Sequence, residues 1–136
     1  RNMKTVSFTT RMLALLLCLA ALLCVFASCK SNIRGEGATG FTLTVTQKDG
    51  SSEEFEIRTD KDNVGDALLD AGMITGSTSE YGLFIESVNG VAADFEKDKT
   101  YWALYVDGEY SMVGISSVKV RSGMKIGLKM EVYQES

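Results

Sequence analysis

Histidine is absent from this chain of 136 residues, and so is proline. Without an imidazole there is no Ser-His-Asp or Cys-His relay, no zinc site built on histidine, and no side chain that ordinarily titrates near neutral pH. Without proline, turns must rest on Gly, Asn and Asp, and 13 glycines are available for them. Cysteine is scarce, and Cys18, Cys24 and Cys29 all fall within the first 29 residues. The remainder therefore has neither a disulfide nor a thiol nucleophile. Carboxylates are the only catalytic groups left. Asp94, Glu96 and Asp98 in "DFEKD" alternate with Lys97 and Lys99, the pattern of a solvated loop rather than of an acid pair flanking a cleft. The loop "DKDNVGD" has Asp60, Asp62 and Gly65 at calcium-loop spacing, but Val64 occupies a ligand position and Ala71 stands where the bidentate acid belongs. "GEGATG", residues 35–40, lacks the preceding strand and the lysine of a phosphate loop. No metal site, no catalytic set and no enzymatic activity are expected.

What is present divides at residue 29. Arg1, Lys4 and Arg11 precede an unbroken apolar run from Met12 to Ala27, and Ala27-Ser28-Cys29 closes it. This is the layout of a secretory signal, and its end resembles the lipobox at which bacterial lipoproteins are lipidated on cysteine. Residues 1–29 are expected to be the signal, with lipid on Cys29 anchoring an extracytoplasmic protein to the cell membrane. The alternative is ordinary cleavage, or an uncleaved single-span anchor. Beyond residue 29 stand 18 acids and 11 bases, a net charge of −7, which disfavours nucleic acid and anionic head groups. The polar, Gly-rich residues 30–40 read as a flexible tether, and residues 41–136 as one domain.

Within that domain "FTLTVTQ" and "EEFEIRT" alternate apolar and polar residues around "KDGSS", which predicts a hairpin. Val64, Ala67, Leu68 and Ala71 share a helical face behind a cap at Asp62 or Asn63, and Gly72 ends that helix. "YGLFIESVNG" reads as a strand ending at Asn89-Gly90. "TYWALYV" and "EYSMVGI" read as a second hairpin about Asp107-Gly108, the pair suited to a type I′ turn. "MKIGLKMEVY" reads as the last strand. The outline is α+β.

A two-residue turn at Asp107-Gly108 fixes register: Val106 opposes Glu109, Tyr105 opposes Tyr110, and Trp102 would oppose Val113. Trp102, Leu104, Val106 and Val113 are then expected in the core. The opposite face carries Tyr101, Tyr105, Tyr110 and Met112, an apolar surface with polar tips that suits a ligand platform or interaction patch. The alternative is an outer face covered by other strands or loops.

The words "NVGDALLDAG", "YGLFIESVNGV", "YWALYVDGEYSMVGI" and "VRSGMKIGL" together resemble the transcobalamin-like C-terminal domain family of bacterial surface lipoproteins. The likeness runs over about residues 41–133. At Ser122 to Lys125 the chain departs from it, with Met124 where an acid commonly follows the glycine. The resemblance implies a β-grasp-like domain, a mixed sheet of two hairpins plus further strands packed on one short helix. It also implies half of a corrinoid-binding sandwich, to be completed by a partner or another copy. A corrinoid would be held by apolar contact and hydrogen bonds at Tyr101, Tyr105, Tyr110 and Met112, since no imidazole can reach its cobalt. The expected role is ligand capture for a neighbouring importer, with no covalent cofactor apart from lipid. The alternative is an adhesion module meeting a surface protein or glycan.

Overall fold

The alternation of Phe41, Leu43 and Val45 with threonines places three apolar side chains on one face of strand β2 (Thr39–Thr46), and all three are buried. The structure, a computed structural model, describes residues 32–135. The expected signal and the lipidation at Cys29 lie outside the described residues. From Ile33 onward the chain forms one unit.

β2 pairs antiparallel with β3 (Ser52–Thr59), Leu43 opposite Phe55 and Phe41 opposite Ile57. Helix α1 (Val64–Asp70) follows, with Asn63 as its cap: the side-chain oxygen accepts from the Asp66 N–H at 2.8 Å, and the side-chain nitrogen donates to the Asp66 carboxylate at 2.9 Å. The helix buries Val64, Ala67 and Leu68, and Gly72, in the left-handed region at φ 72°, lets the chain leave. Burying a leucine such as Leu68 contributes about 2 kcal/mol.

Strands β7 (Thr100–Val106) and β9 (Lys125–Val132) complete the main sheet. β9 lies between β2, to which it is parallel, and β7, to which it is antiparallel. The sheet order is β1-β3-β2-β9-β7-β8, where β1 is Ile33–Arg34 and β8 is Glu109–Tyr110. A hairpin, a helix and a returning central parallel strand make the β-grasp arrangement expected. Ile126, Leu128 and Met130 face the core with Trp102 and Leu104.

A second, three-stranded sheet holds β4 (Ile74–Ser79), β5 (Gly82–Val88) and β6 (Val91–Ala92). Asn89 and Gly90, both at positive φ, form the turn between β5 and β6. "DFEKD" is not a plain loop. Phe95–Asp98 forms one helical turn, α2, capped by Asp94, with the Asp94 N–H bonded to the Thr100 hydroxyl at 2.9 Å; its side chains nonetheless stay out of the core.

Two expectations are corrected. The sheet begins inside the stretch read as a tether, because β1 pairs with β3, Ile33 opposite Glu56. Arg58 donates to the carbonyls of Gly37 and Ala38, and Asp60 accepts from the Ala38 N–H. Gly37 lies so close to β3 that a Cβ there would stand 2.1 Å from the Thr59 carbonyl carbon. The glycines thus serve close approach rather than looseness.

The second correction concerns "EYSMVGI", which is a strand only at Glu109–Tyr110. Ser111 still donates its N–H to the Leu104 carbonyl. Its hydroxyl then donates to the Val113 carbonyl at 2.9 Å and accepts from the Val113 N–H at 3.3 Å. This side-chain turn diverts the chain from the ladder, so Val113 is 55% exposed instead of opposing Trp102 in the core. A short 3-10 turn, Ile115–Ser117, brings the chain back and buries Ile115.

Candidate ligand-binding site

The site grows from the hairpin that joins β7 to β8. Asp107 (φ 50°) and Gly108 (φ 87°) form its two-residue turn, and the pairing is Val106 with Glu109 and Tyr105 with Tyr110. Asp107 also fastens the turn to the start of β9, accepting from the Lys125 N–H at 2.9 Å and from the Arg121 guanidinium at 2.9 Å. The Lys125 N–H first, then Arg121, hold its carboxyl below the usual carboxylate range.

Trp102 and Leu104 face the core as expected, 6% and 8% exposed, and the indole N–H donates to the Val91 carbonyl at 3.2 Å. Tyr101 and Tyr105 occupy the other face. Their phenols converge on one carboxylate: Tyr101 donates to Glu131 at 3.1 Å and Tyr105 to its other oxygen at 2.5 Å. Tyr101 lies directly across from Glu131, whereas Tyr105 lies across from Gly127. Tyr101 and Tyr105 are about 13 Å apart along the strand, so the Tyr105 side chain must lean over Ala103 to reach Glu131. Ala103 is only 2% exposed on that outer face. Tyr110 meets the Tyr105 ring edge to face, with centroids 5.7 Å apart and planes at 79°.

Both donating phenols resist ionisation. The hydrogen bond to Glu131, then burial, push Tyr105 up to about 12. Burial first, then the same carboxylate, raise Tyr101.

Tyr101, Tyr105 and Tyr110 are therefore together, and Met112 is not with them. It sits within the turn that Ser111 closes onto Val113, 90% exposed. Nothing in the sequence singles out Glu131, because only the pairing of β7 with β9 places it there.

Beside the tyrosines runs a groove. β8 covers β7 only at Tyr105 and Val106, and β6 covers β5 only at Ser87 and Val88. The uncovered stretches of β5 and β7 face each other across a cavity of about 210 Å³ lined by Leu83, Phe84, Ile85, Trp102 and Val113 among others. A second cavity, about 410 Å³, shares Phe84, Ile85 and Tyr101 and extends past Phe95. The exposed side chains of Phe84, Tyr110 and Val113 stand around the groove. Concave, mostly apolar and rimmed by aromatic groups, it has the character of a small-molecule or peptide site. Among the described residues no group of three or more His, Cys, Asp or Glu side chains is placed to hold a metal ion.

Fold and site define a β-grasp domain with an open lateral groove, built on a mixed sheet and a single short helix at its core. The chain belongs to the family described as "Domain of unknown function (DUF4430)", which matches residues 61–131. No curated protein matches it. Among solved structures it is similar to a "putative metal binding protein" from Ruminococcus gnavus ATCC 29149, at 27% identity and a TM-score of 0.67, over 71% of this chain and 100% of that one. It is also similar to haptocorrin, solved in complex with Cbi, at 21% identity and a TM-score of 0.56, over 71% of this chain and 25% of haptocorrin. The second likeness establishes the transcobalamin-like fold. The metal binding in the first description finds no three-residue ligand set in this chain's described residues.

Proposed function

We propose that the chain is a non-enzymatic ligand-capture module, held outside the cytoplasm by lipid on Cys29, that takes a bulky ligand against the β5–β7 groove and the adjoining tyrosines. The carrying observation is the groove itself, apolar along Leu83, Phe84 and Trp102 and ringed by exposed aromatic and aliphatic side chains. A corrinoid is the finer reading. It is broad, apolar on its faces and fringed with amides, and the chain shares its fold with a corrinoid-binding protein. Tyr101, Tyr105 and Tyr110, with Met112 at the exposed loop, supply rings, hydroxyls and a thioether for such a surface. Delivery to a neighbouring importer follows from this reading.

Calorimetric titration of the full chain with cobinamide and with cyanocobalamin tests it. Saturable heat is expected, with affinity falling about tenfold or more when Phe84 and Val113 are both changed to Ser, the loss of two apolar contacts of about 1–2 kcal/mol in all. Absence of heat at high micromolar ligand would sink the corrinoid reading. A second reading, contact with a surface protein or glycan, is favoured by the exposed aromatic and aliphatic side chains around the groove, Phe84, Tyr110 and Val113, since an exposed apolar patch commonly marks an interface.

A further inference from the structure

The tyrosine corner carries a charge that no ion pair among the described residues neutralises. Glu131 accepts from two phenols, and neither the Arg58–Glu56 nor the Arg121–Asp107 ion pair involves it. Lys129, its neighbour on the same face of β9, is in neither pair. Tyr105, which donates to this carboxylate, meets the ring of Tyr110 at nearly a right angle, and Tyr110 is 53% exposed. Ring faces are electron-rich and attract cations, most strongly where a carboxylate adds its charge. A primary ammonium must also direct its three N–H groups into acceptors, and the two phenols already take up part of the accepting capacity of Glu131. A methylated ammonium makes no such demand. It needs only ring faces and a nearby negative charge.

We propose that the corner formed by Tyr105, Tyr110 and Glu131, with Tyr101 holding the carboxylate from the far side, binds a quaternary ammonium group of choline-like size. The site rests on ring and carboxylate geometry alone, so a negative corrinoid titration leaves it standing. It equips the protein to hold a ligand bearing a methylated ammonium head at the end of the groove where Tyr101 and Tyr110 meet it.

The test is titration of the full chain with tetramethylammonium chloride against sodium chloride at matched ionic strength, following the tyrosine ring resonances by NMR. Saturable shifts of Tyr105 and Tyr110 are expected with tetramethylammonium only. Glu131→Gln and Tyr110→Ala are each expected to weaken binding about tenfold. Tyr110 is exposed, so its truncation leaves the core intact and keeps the test decisive if Glu131→Gln loosens the hairpin. Shifts no greater than those with sodium would overturn the proposal, as would unchanged affinity in Tyr110→Ala. Tighter binding of n-butylammonium, which carries the primary amine of a lysine side chain, would overturn it in favour of a protein partner.

Discussion

At the scale of single residues, the shared carboxylate of Glu131 controls how the hairpin responds to alkali. Tyr105 is held protonated to about pH 12 against an ordinary value of 10.0. A phenol whose folded value is raised contributes stability that is full below pH 10 and is lost as the pH climbs through 12. Ultraviolet titration of the tyrosines should show one group ionising near pH 12, and Glu131→Gln should bring it back toward 10. If that titration is indifferent to the substitution, Glu131 is not the cause. Half of this arrangement is legible in the sequence. A two-residue Asp-Gly turn admits one register, so the opposition of Tyr105 and Tyr110 follows from the turn alone. Glu131 does not, because it lies 30 residues beyond Tyr101, and alternation within a strand does not tell which distant strand will be its neighbour.

At the scale of elements, legibility follows apolar periodicity. β2, β9 and the second half of β3 alternate more and less buried side chains and can be read from that alternation, whereas β7, where Trp102, Ala103 and Leu104 are all buried, is read from the Asp-Gly turn that ends it. Composition narrows the helix cap to two adjacent residues, and Asn63 proves to be the one. β4 escapes, since "ITGSTS" offers one buried residue, Ile74, followed by small polar ones. It is a strand because β5 gives it a partner. Gly76 sits at the irregularity in that pairing, where the register shifts between Thr75 and Gly76. A Cβ at Gly76 would stand 2.2 Å from the Phe84 carbonyl oxygen, a backbone clash that no rotamer relieves. Gly76→Ala is therefore expected to lower stability by about 1–3 kcal/mol, read from the midpoint of urea unfolding, and to disturb the Phe84 side of the groove. A midpoint unchanged from wild type would mean that β4 and β5 part at little cost.

At the scale of the whole domain, the boundary matters most. The composition of residues 30–40 suggests a tether, because glycine-rich polar stretches usually are one. The structure instead uses Gly37 and Ala38 to bring the chain against β3. A chain starting at residue 41 loses three hydrogen bonds to Arg58 and Asp60, together with β1 and the first two residues of β2, Thr39 and Gly40. Relative to one starting at residue 32, it is expected to lose about 2 kcal/mol, a fall of roughly 10 °C in melting temperature for a domain of this size. Equal melting temperatures would show that the stretch contributes nothing.

The central pairing of β9 with β2 has a consequence in time. Thr42 sits beside Lys125 and Thr46 beside Lys129, so the middle of the main sheet joins nearly the first strand of the domain to its last. Closing so long a loop is entropically unfavourable until the contacts beyond it form. A nascent chain can make the β2–β3 hairpin early, but it has no central strand until β9 has left the ribosome. The domain therefore stays unfinished throughout its own synthesis, and a chain cut short anywhere before Lys125 would carry an open β2 edge for the protein-quality machinery of the cell to find.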